Sequence, residues 1–243
     1  MKAKKERPFG TTSGGERLVY ALGDLGSNFV WTFCSSFLTL YYTDSVLVSA
    51  GLIGTIMLIC RIFDGFSDIG AGLLIERTKS KKGKARPWFG GSIIPLVIIQ
   101  LIVFNVPGTM STSAKIAWIV VSYFLLTVVA YTINNVSYHA MLPRISLTSE
   151  DRNKVSSLRG IFSFIAGLLL AILTPRLLAA GGGEKVQSAW TSVALIYCVL
   201  CLVFEGICYF GTKEKISATE EAEEKKAQPH DLKLGVRELV HTK

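Results

Sequence analysis

The stretch that decides the fold runs from Arg61 to Trp88 and reads R-I-F-D-G-F-S-D-I-G-A-G-L-L-I-E-R-T-K-S-K-K-G-K-A-R-P-W. Its first half is an apolar helical segment that carries Asp64 and Asp68 one turn apart, on one face. Its second half is a dense run of lysine and arginine. Because a charge near the centre of a bilayer costs roughly 2.5 to 3.5 kcal/mol, we expect these acids to face a protein or water-filled interior and to be functional.

The composition places the whole chain in a membrane. Half of the 243 residues are hydrophobic and only 18% are charged, which is typical of an integral membrane protein rather than of a soluble domain. The net charge of +8 is concentrated in loops and at the ends of the chain, so it argues against nucleic-acid binding and in favour of a topology signal. Because the basic first residues are followed by a polar stretch, we expect no cleavable leader and expect the first apolar helix to remain in the membrane.

The cysteines lie in apolar stretches. The pair Cys198 and Cys201 forms a C-x-x-C motif that has no second pair and no histidine nearby. We therefore expect cysteines to pack in lipid or core rather than to bind a metal or undergo redox chemistry. All five are Cys34, Cys60, Cys198, Cys201 and Cys208.

Six apolar segments are each near the length of about 20 residues that a bilayer core requires. Helices are expected, because no segment shows the alternation of an outer-membrane strand. The lysines and arginines precede the first segment and follow the second and fourth, which predicts that both termini are cytoplasmic. The predicted organisation is an N-terminal segment over residues 1–17, spans near 18–42, 50–75, 88–106, 114–142, 158–178 and 189–210, and a charged linker over 211–243.

Polar residues inside the first and fourth segments are candidates for binding a substrate. Asp24 and Asn28 are one turn apart in the first segment, where helix packing is the alternative interpretation. In the fourth, Tyr131, Asn135 and His139 form a stripe along one face. Amides, hydroxyls and aromatic rings at membrane depth suit a sugar, although a polar seam between helices and, for His139, an interfacial position remain open.

Charged residues in the second and fifth segments extend this hypothesis. Asp64 and Asp68 disfavour simultaneous ionisation unless a cation is shared between them, which predicts a site for a proton or a hard monovalent ion. Structural pairing with Arg61 is the alternative. Arg159, at the start of the fifth segment, either contributes to the substrate site or extends toward the membrane surface.

Several strings resemble the glycoside-pentoside-hexuronide:cation symporters, a branch of the major facilitator superfamily. The resemblance rests on the stretch from Arg61 to Trp88 and on four further strings: Y-A-L-G-D-L-G-S-N-F, Y-Y-T-D, A-Y-T-I-N-N-V-S-Y and L-R-G-I-F-S-F-I-A-G. It implies an all-α integral membrane fold in which this chain forms the N-terminal six-helix bundle. It also implies a second bundle and a substrate held between the two, with one bundle rocking against the other.

The resemblance also implies roles for individual residues. The cation site maps to Asp64, Asp68 and Thr132. Amides stand where melibiose-type members have acids, which is more similar to glucuronide-type members and suits an acidic or differently hydroxylated substrate rather than a galactoside. Ser67 leaves sodium and protons both open. The sugar site maps to Asn28, Asn135, His139 and Arg159, and we add Asp24 and Tyr131 as candidates.

The predicted function is therefore symport of a sugar or glycoside with Na⁺ or H⁺ across the cell membrane, with no organic cofactor. An enzyme is not supported, since no metal-spaced histidines and no Ser/His/Asp arrangement occur at a common depth. The expected partners are the substrate, membrane lipids and a C-terminal six-helix half, in the same chain or as a second chain. We expect the linker to be truncated and this chain alone to be unable to complete a transport cycle; a non-transporting membrane module or one subunit of a split transporter is the alternative.

Overall fold

A computed structural model describes residues 10–215, and within that range the chain is helical with no β-strand. This agrees with the predicted all-α membrane architecture. Six long helices follow one another along the described part. They are α1 (Gly14–Leu40), α2 (Ala50–Arg77), α3 (Arg86–Val103), α4 (Thr112–Ile145), α5 (Ser149–Ala180) and α6 (Gln187–Gly211).

Five of these helices, α2 to α6, are long and apolar enough to cross a membrane. The first helix is long enough but less apolar, because Asp24, Asn28 and several small residues interrupt its sequence. The division into a leading segment, six spans and a linker, with both ends cytoplasmic, stays a prediction. The basic residues at the start of the chain and most of the predicted linker lie outside the described residues.

The helix ends follow local capping chemistry. At the start of α1 the Ser13 hydroxyl accepts a hydrogen bond from the backbone N–H of Glu16 at 3.0 Å, and the Glu16 carboxylate accepts one from the N–H of Ser13 at 2.7 Å. The Thr148 side chain caps α5. With this cap the helix begins nine residues before the predicted span. Its 32 residues extend about 48 Å, which is well beyond a hydrocarbon core of about 30 Å.

The centre of the bundle is formed by α1, which packs mainly on α5 and α6; α3 packs on α6 and α4, and α2 packs mainly on α4. The core is rich in buried aromatic rings, among them Phe33, Phe104 and Trp190. All five cysteines are buried and free, as expected for residues that pack in the core.

Both α2 and α5 expose large apolar side chains on their outer faces. Phe66 on α2 is 69% exposed and Phe164 on α5 is 73% exposed. In a bilayer, such surfaces contact lipid or another protein. The two helices therefore contribute less to the core of this bundle than α1 and α6 do.

The basic loop between α2 and α3 is tied to the end of α6. The carboxylate of Glu214 accepts hydrogen bonds from the backbone N–H groups of Lys84, Ala85 and Arg86, at 3.0, 2.9 and 2.7 Å. The guanidinium of Arg86 in turn donates to the carbonyl oxygen of Tyr209 at 3.0 Å. An anion therefore satisfies the free N–H groups at the start of α3, and these contacts join the α2–α3 loop to the end of α6.

A second tie at this end of the bundle centres on Asp151. Its carboxylate accepts hydrogen bonds from the backbone N–H of Thr12 at 2.8 Å and from the Ser146 hydroxyl at 2.5 Å. It also pairs with Arg17 at 2.7 Å. One buried acid thus connects the approach to α1 with the α4–α5 turn.

Candidate functional site

A cavity of about 240 Å³ opens between α1, α2 and α4. It contains all three residues predicted to bind the cation and two of those predicted to bind the sugar. Carboxylates, hydroxyls, an amide and aromatic rings thereby share one space at membrane depth. The lining residues are Trp31, Arg61, Asp64, Asp68, Tyr131, Thr132, Asn135 and Val136.

At one end of the cavity, oxygen atoms surround Asp64. The Thr132 hydroxyl donates to the Asp64 carboxylate at 2.9 Å, and the Ser67 hydroxyl lies 3.2 Å from that of Thr132. Asp68 lines the same cavity and is exposed. Two carboxylates with nearby hydroxyls supply the oxygen ligands that hard cations prefer, or the acceptor for a proton.

The alternative pairing with Arg61 is present but weak. One guanidinium nitrogen of Arg61 lies 3.6 Å from an Asp64 carboxylate oxygen, and the Arg61 side chain is 54% exposed. A single long contact from an exposed arginine contributes little stability. Arg61 also lies over the ring of Trp31, 4.6 Å from its centre, so it borders the cavity more than it neutralises the acids.

The backbone of α4 widens next to these acids. Residues Leu125–Tyr131 form a π-helical segment, and the Thr132 hydroxyl oxygen also lies 3.1 Å from the carbonyl oxygen of Thr127. Such wide turns are rare and frequently lie at functional sites, because they change the direction of the side chains that follow. Here the segment ends immediately before Thr132, the residue that meets Asp64.

An aromatic wall forms another side of the cavity. Trp31 stacks on Tyr131 with ring centres 4.4 Å apart, and the Asn135 amide donates to the Tyr131 hydroxyl at 2.8 Å. The sequence analysis did not select Trp31. Trp31 lies three residues, or about one helical turn, after Asn28, and this spacing could have indicated that it shares a helix face with a predicted sugar-site residue.

Three other predicted sugar-site residues meet away from the lining of this cavity. Arg159 on α5 pairs with Asp24 on α1 at 2.9 Å and lies 2.9 Å from the Nε2 atom of His139. Its guanidinium also lies over the ring of Tyr138, 5.0 Å from the centre. Arg159 therefore points into the bundle rather than toward the membrane surface, and the three residues are engaged with one another.

Asn28 is occupied within its own helix. Its amide donates to the backbone carbonyl of Asp24 at 2.7 Å, and its side-chain oxygen accepts from the Thr32 hydroxyl at 2.9 Å. It is not among the cavity-lining residues. Next to it, Gly23 and Gly26 lie in close contact with α6, so this part of α1 combines a polar cluster with tight helix packing, the alternative that the sequence left open.

The sequence analysis also missed Glu205 on α6. Its side chain is completely buried, and it accepts a hydrogen bond from the Asn134 amide at 2.8 Å. The signal was available, since Glu205 is an acid inside an apolar helix in the same way as Asp64 and Asp68. Asn134 was visible only as a neighbour of the predicted polar stripe.

Comparisons with known proteins identify the relatives of this chain. Residues 19–242 match the family described as MFS/sugar transport protein. The isoprimeverose transporter of Lactiplantibacillus pentosus is 31% identical over 84% of this chain and 43% of its own length. The inner membrane symporter YicJ of Escherichia coli is 29% identical over 84% and 44%, and the glucuronide carrier protein homolog of the same organism is 28% identical over 81% and 43%.

The chain spans less than half the length of these curated relatives. All three are named as transporters, symporters or carriers and none as an enzyme. With its apolar helices, the protein is a multi-pass protein of the cell membrane. The chain belongs to the MFS/sugar transport protein family, in its branch of glycoside, pentoside and hexuronide symporters.

Proposed function

We propose that this chain is the N-terminal half of a symporter that moves a sugar or glycoside together with Na⁺ or H⁺. The observation that carries the proposal is the cavity between α1, α2 and α4, where Asp64, Asp68 and Thr132 lie beside Tyr131 and Asn135. Ion ligands and sugar-binding groups in one cavity are what coupled binding requires.

The cation is held by the carboxylates of Asp64 and Asp68 and by the Thr132 hydroxyl. An ion or proton there relieves the repulsion between two acids one turn apart. It also holds α2 against α4, because the hydrogen bond between Thr132 and Asp64 already spans these helices. Since Tyr131 and Asn135 are on the same stretch of α4, cation binding orders the groups that meet the sugar, and the coupling is reciprocal.

The sugar is bound by stacking and by hydrogen bonds. The paired rings of Trp31 and Tyr131 offer a flat apolar face, and the Asn135 amide offers both a donor and an acceptor. The cluster of Asp24, His139 and Arg159 is the second polar group within the bundle. A hexuronide carboxylate would exchange with Asp24 as the partner of Arg159, which suits the glucuronide carrier among the relatives.

A second six-helix half, in the same chain or as a separate chain, supplies the opposite wall. The exposed apolar faces of α2 and α5 offer surface on which a second half could pack. The relatives are more than twice as long as the matched region. We expect the 243-residue chain alone to bind but not to accumulate substrate in proteoliposomes. Accumulation driven by a cation gradient would contradict the requirement for the second half.

The binding step is tested by thermal unfolding of the purified chain in sodium against potassium salts and over a pH series. A ligand that binds only the folded state raises the unfolding midpoint, so Na⁺ or mildly acidic pH stabilises the wild type. The Asp64→Asn variant loses this response, whereas Asp44→Asn, at the end of the helical turn after α1, retains it. If neither ion nor pH changes the midpoint, or if Asp64→Asn responds as the wild type does, the non-transporting membrane module becomes the better interpretation.

A further inference from the structure

Glu205 is the most deeply buried acid in the described part of the chain, with 0% of its surface exposed. It lies on α6 in the apolar run L-C-L-V-F-E-G-I-C. The facing residue on α1 is Gly26, where an added Cβ would lie 3.0 Å from the Glu205 Cγ atom and 3.1 Å from its backbone nitrogen. The two helices are thus in direct contact, and the carboxyl group is enclosed by protein.

The hydrogen bonds around this carboxyl group are incomplete in a specific way. The Asn134 amide nitrogen donates to Oε2 of Glu205 at 2.8 Å. The other oxygen of each group, Oε1 of Glu205 and Oδ1 of Asn134, is buried and has no hydrogen-bond partner. Both are acceptors, so neither can satisfy the other unless a hydrogen is placed between them.

No cation compensates for a charge at this position. Among residues 10–215, Glu205 forms no ion pair, and Arg159 is already paired with Asp24. An ionised carboxylate that is buried without a cation is strongly unfavourable. The two unsatisfied buried acceptors, Oε1 of Glu205 itself and Oδ1 of Asn134, add a further free-energy cost.

We propose that Glu205 holds a proton in the resting protein and donates it from Oε1 to the amide oxygen of Asn134. One proton, taken from bulk water, gives both unpartnered acceptors a hydrogen-bond partner and removes the charge. The acid and the amide then form a closed ring of two hydrogen bonds. Exchanging the nitrogen and oxygen of the Asn134 amide does not achieve this, because it places an acceptor against Oε2.

The titratable groups that face Glu205 are compatible with a neutral acid. Cys201 and Cys208 lie one turn before and one turn after it on α6, Tyr131 approaches from α4, and α1 meets it with Gly26. Each of these groups is uncharged at neutral pH. The Cys201 thiol is the rival donor to Glu205, but a thiol is a weak donor and leaves Oδ1 of Asn134 unsatisfied.

The protonated pair joins α6 to α4 behind the cavity. Asn134 directly precedes Asn135, which lines the cavity. Glu205 is therefore a positioning residue for the cavity face of α4, and its proton is distinct from a coupling ion bound at Asp64 and Asp68. The protonation of Glu205 is independent of sugar transport.

Infrared spectroscopy of the full 243-residue chain at neutral pH tests the proposal. We expect an absorption band of a protonated carboxyl group that moves when glutamate carboxyls are labelled with carbon-13, a measurement that needs no variant. Glu205→Gln loses this band and keeps the wild-type unfolding midpoint, because its amide donates to Asn134 as the acid does. Glu214→Gln is the matched control and retains the band, since Glu214 accepts three backbone N–H groups as a carboxylate.

A second pair of variants identifies the hydrogen-bond partner. Asn134→Ala shifts the Glu205 band to higher frequency, because its carbonyl loses a hydrogen bond, whereas Cys201→Ala leaves the band in place. The proposal is overturned if glutamate labelling moves no protonated-acid band, or if Glu205→Gln removes a carboxylate band instead. A shift in Cys201→Ala with none in Asn134→Ala would also overturn it in favour of the thiol.

Discussion

Acidic residues differ in exposure between the α2–α4 side of the bundle and the α1–α6 side. Asp64 lies on the first, with 18% of its side chain exposed, and it lines a cavity. Glu205 lies on the second and is fully enclosed. The glycines differ in parallel: a Cβ on Gly65 of α2 would meet no atom within 4 Å, whereas one on Gly26 would meet α6. An acid in an apolar helix therefore indicates a binding site only where the neighbouring helix leaves space.

The buried ion pair between Asp24 on α1 and Arg159 on α5 should give the largest effect. Asp24→Ala leaves Arg159 buried without its partner, and we expect a loss of about 3 kcal/mol in the free energy of unfolding. Chemical unfolding in detergent measures it, with Asp44→Ala as the control that changes little. Combining Asp24→Ala with Arg159→Gln should cost less than the sum of the two single losses; strictly additive losses would show that the pair is not coupled.

Tight packing between α1 and α6 should give the next effect. An added Cβ at Gly23 would lie 2.7 Å from the Cys208 sulfur and 2.8 Å from the Tyr138 ring, so Gly23→Ala should lose about 1 to 3 kcal/mol of stability. The matched control is Gly65→Ala on α2, which should be neutral or stabilising by about 0.5 to 1 kcal/mol through helix propensity. Equal losses at both positions would erase the distinction between the two sides.

On the α2–α4 side, Thr132 should affect ion binding more than folding. Thr132→Ala removes the hydroxyl that meets Asp64, and we expect the cation response of the unfolding midpoint to weaken by about 1 kcal/mol in binding free energy. Thr132→Ser keeps the hydroxyl and should retain most of the response. A wild-type response in the alanine variant would remove Thr132 from the site.

The smallest effect is expected at the aromatic wall. Trp31→Leu removes the stack on Tyr131 and the contact with Arg61, which together should contribute about 0.5 to 1 kcal/mol to stability. Trp31→Phe preserves a stacking ring and should lose less. Chemical unfolding of both variants checks the order, and a larger loss in the phenylalanine variant would contradict it.

Sequence patterns selected the acids of the α2–α4 side but not the long-range pairs inside the bundle. Asp64 and Asp68 were found because one helical turn separates them, a spacing visible along the chain. The pairs Asp24 with Arg159 and Glu205 with Asn134 join residues 135 and 71 positions apart. No local pattern specifies such distant partners, so the pairing of Glu205 with Asn134 was not predicted and Arg159 was left with two interpretations.

What the sequence by itself determined is the membrane class, the run of apolar segments and the family, because these depend on local composition and on strings of neighbouring residues. Tertiary structure alone decided which polar groups share the cavity and which neutralise one another inside the bundle. The physical reason is that the free energy of burying a polar group depends on whether it has a hydrogen-bonding or charged partner. In this protein the partners of Asp24 and Glu205 lie on other helices.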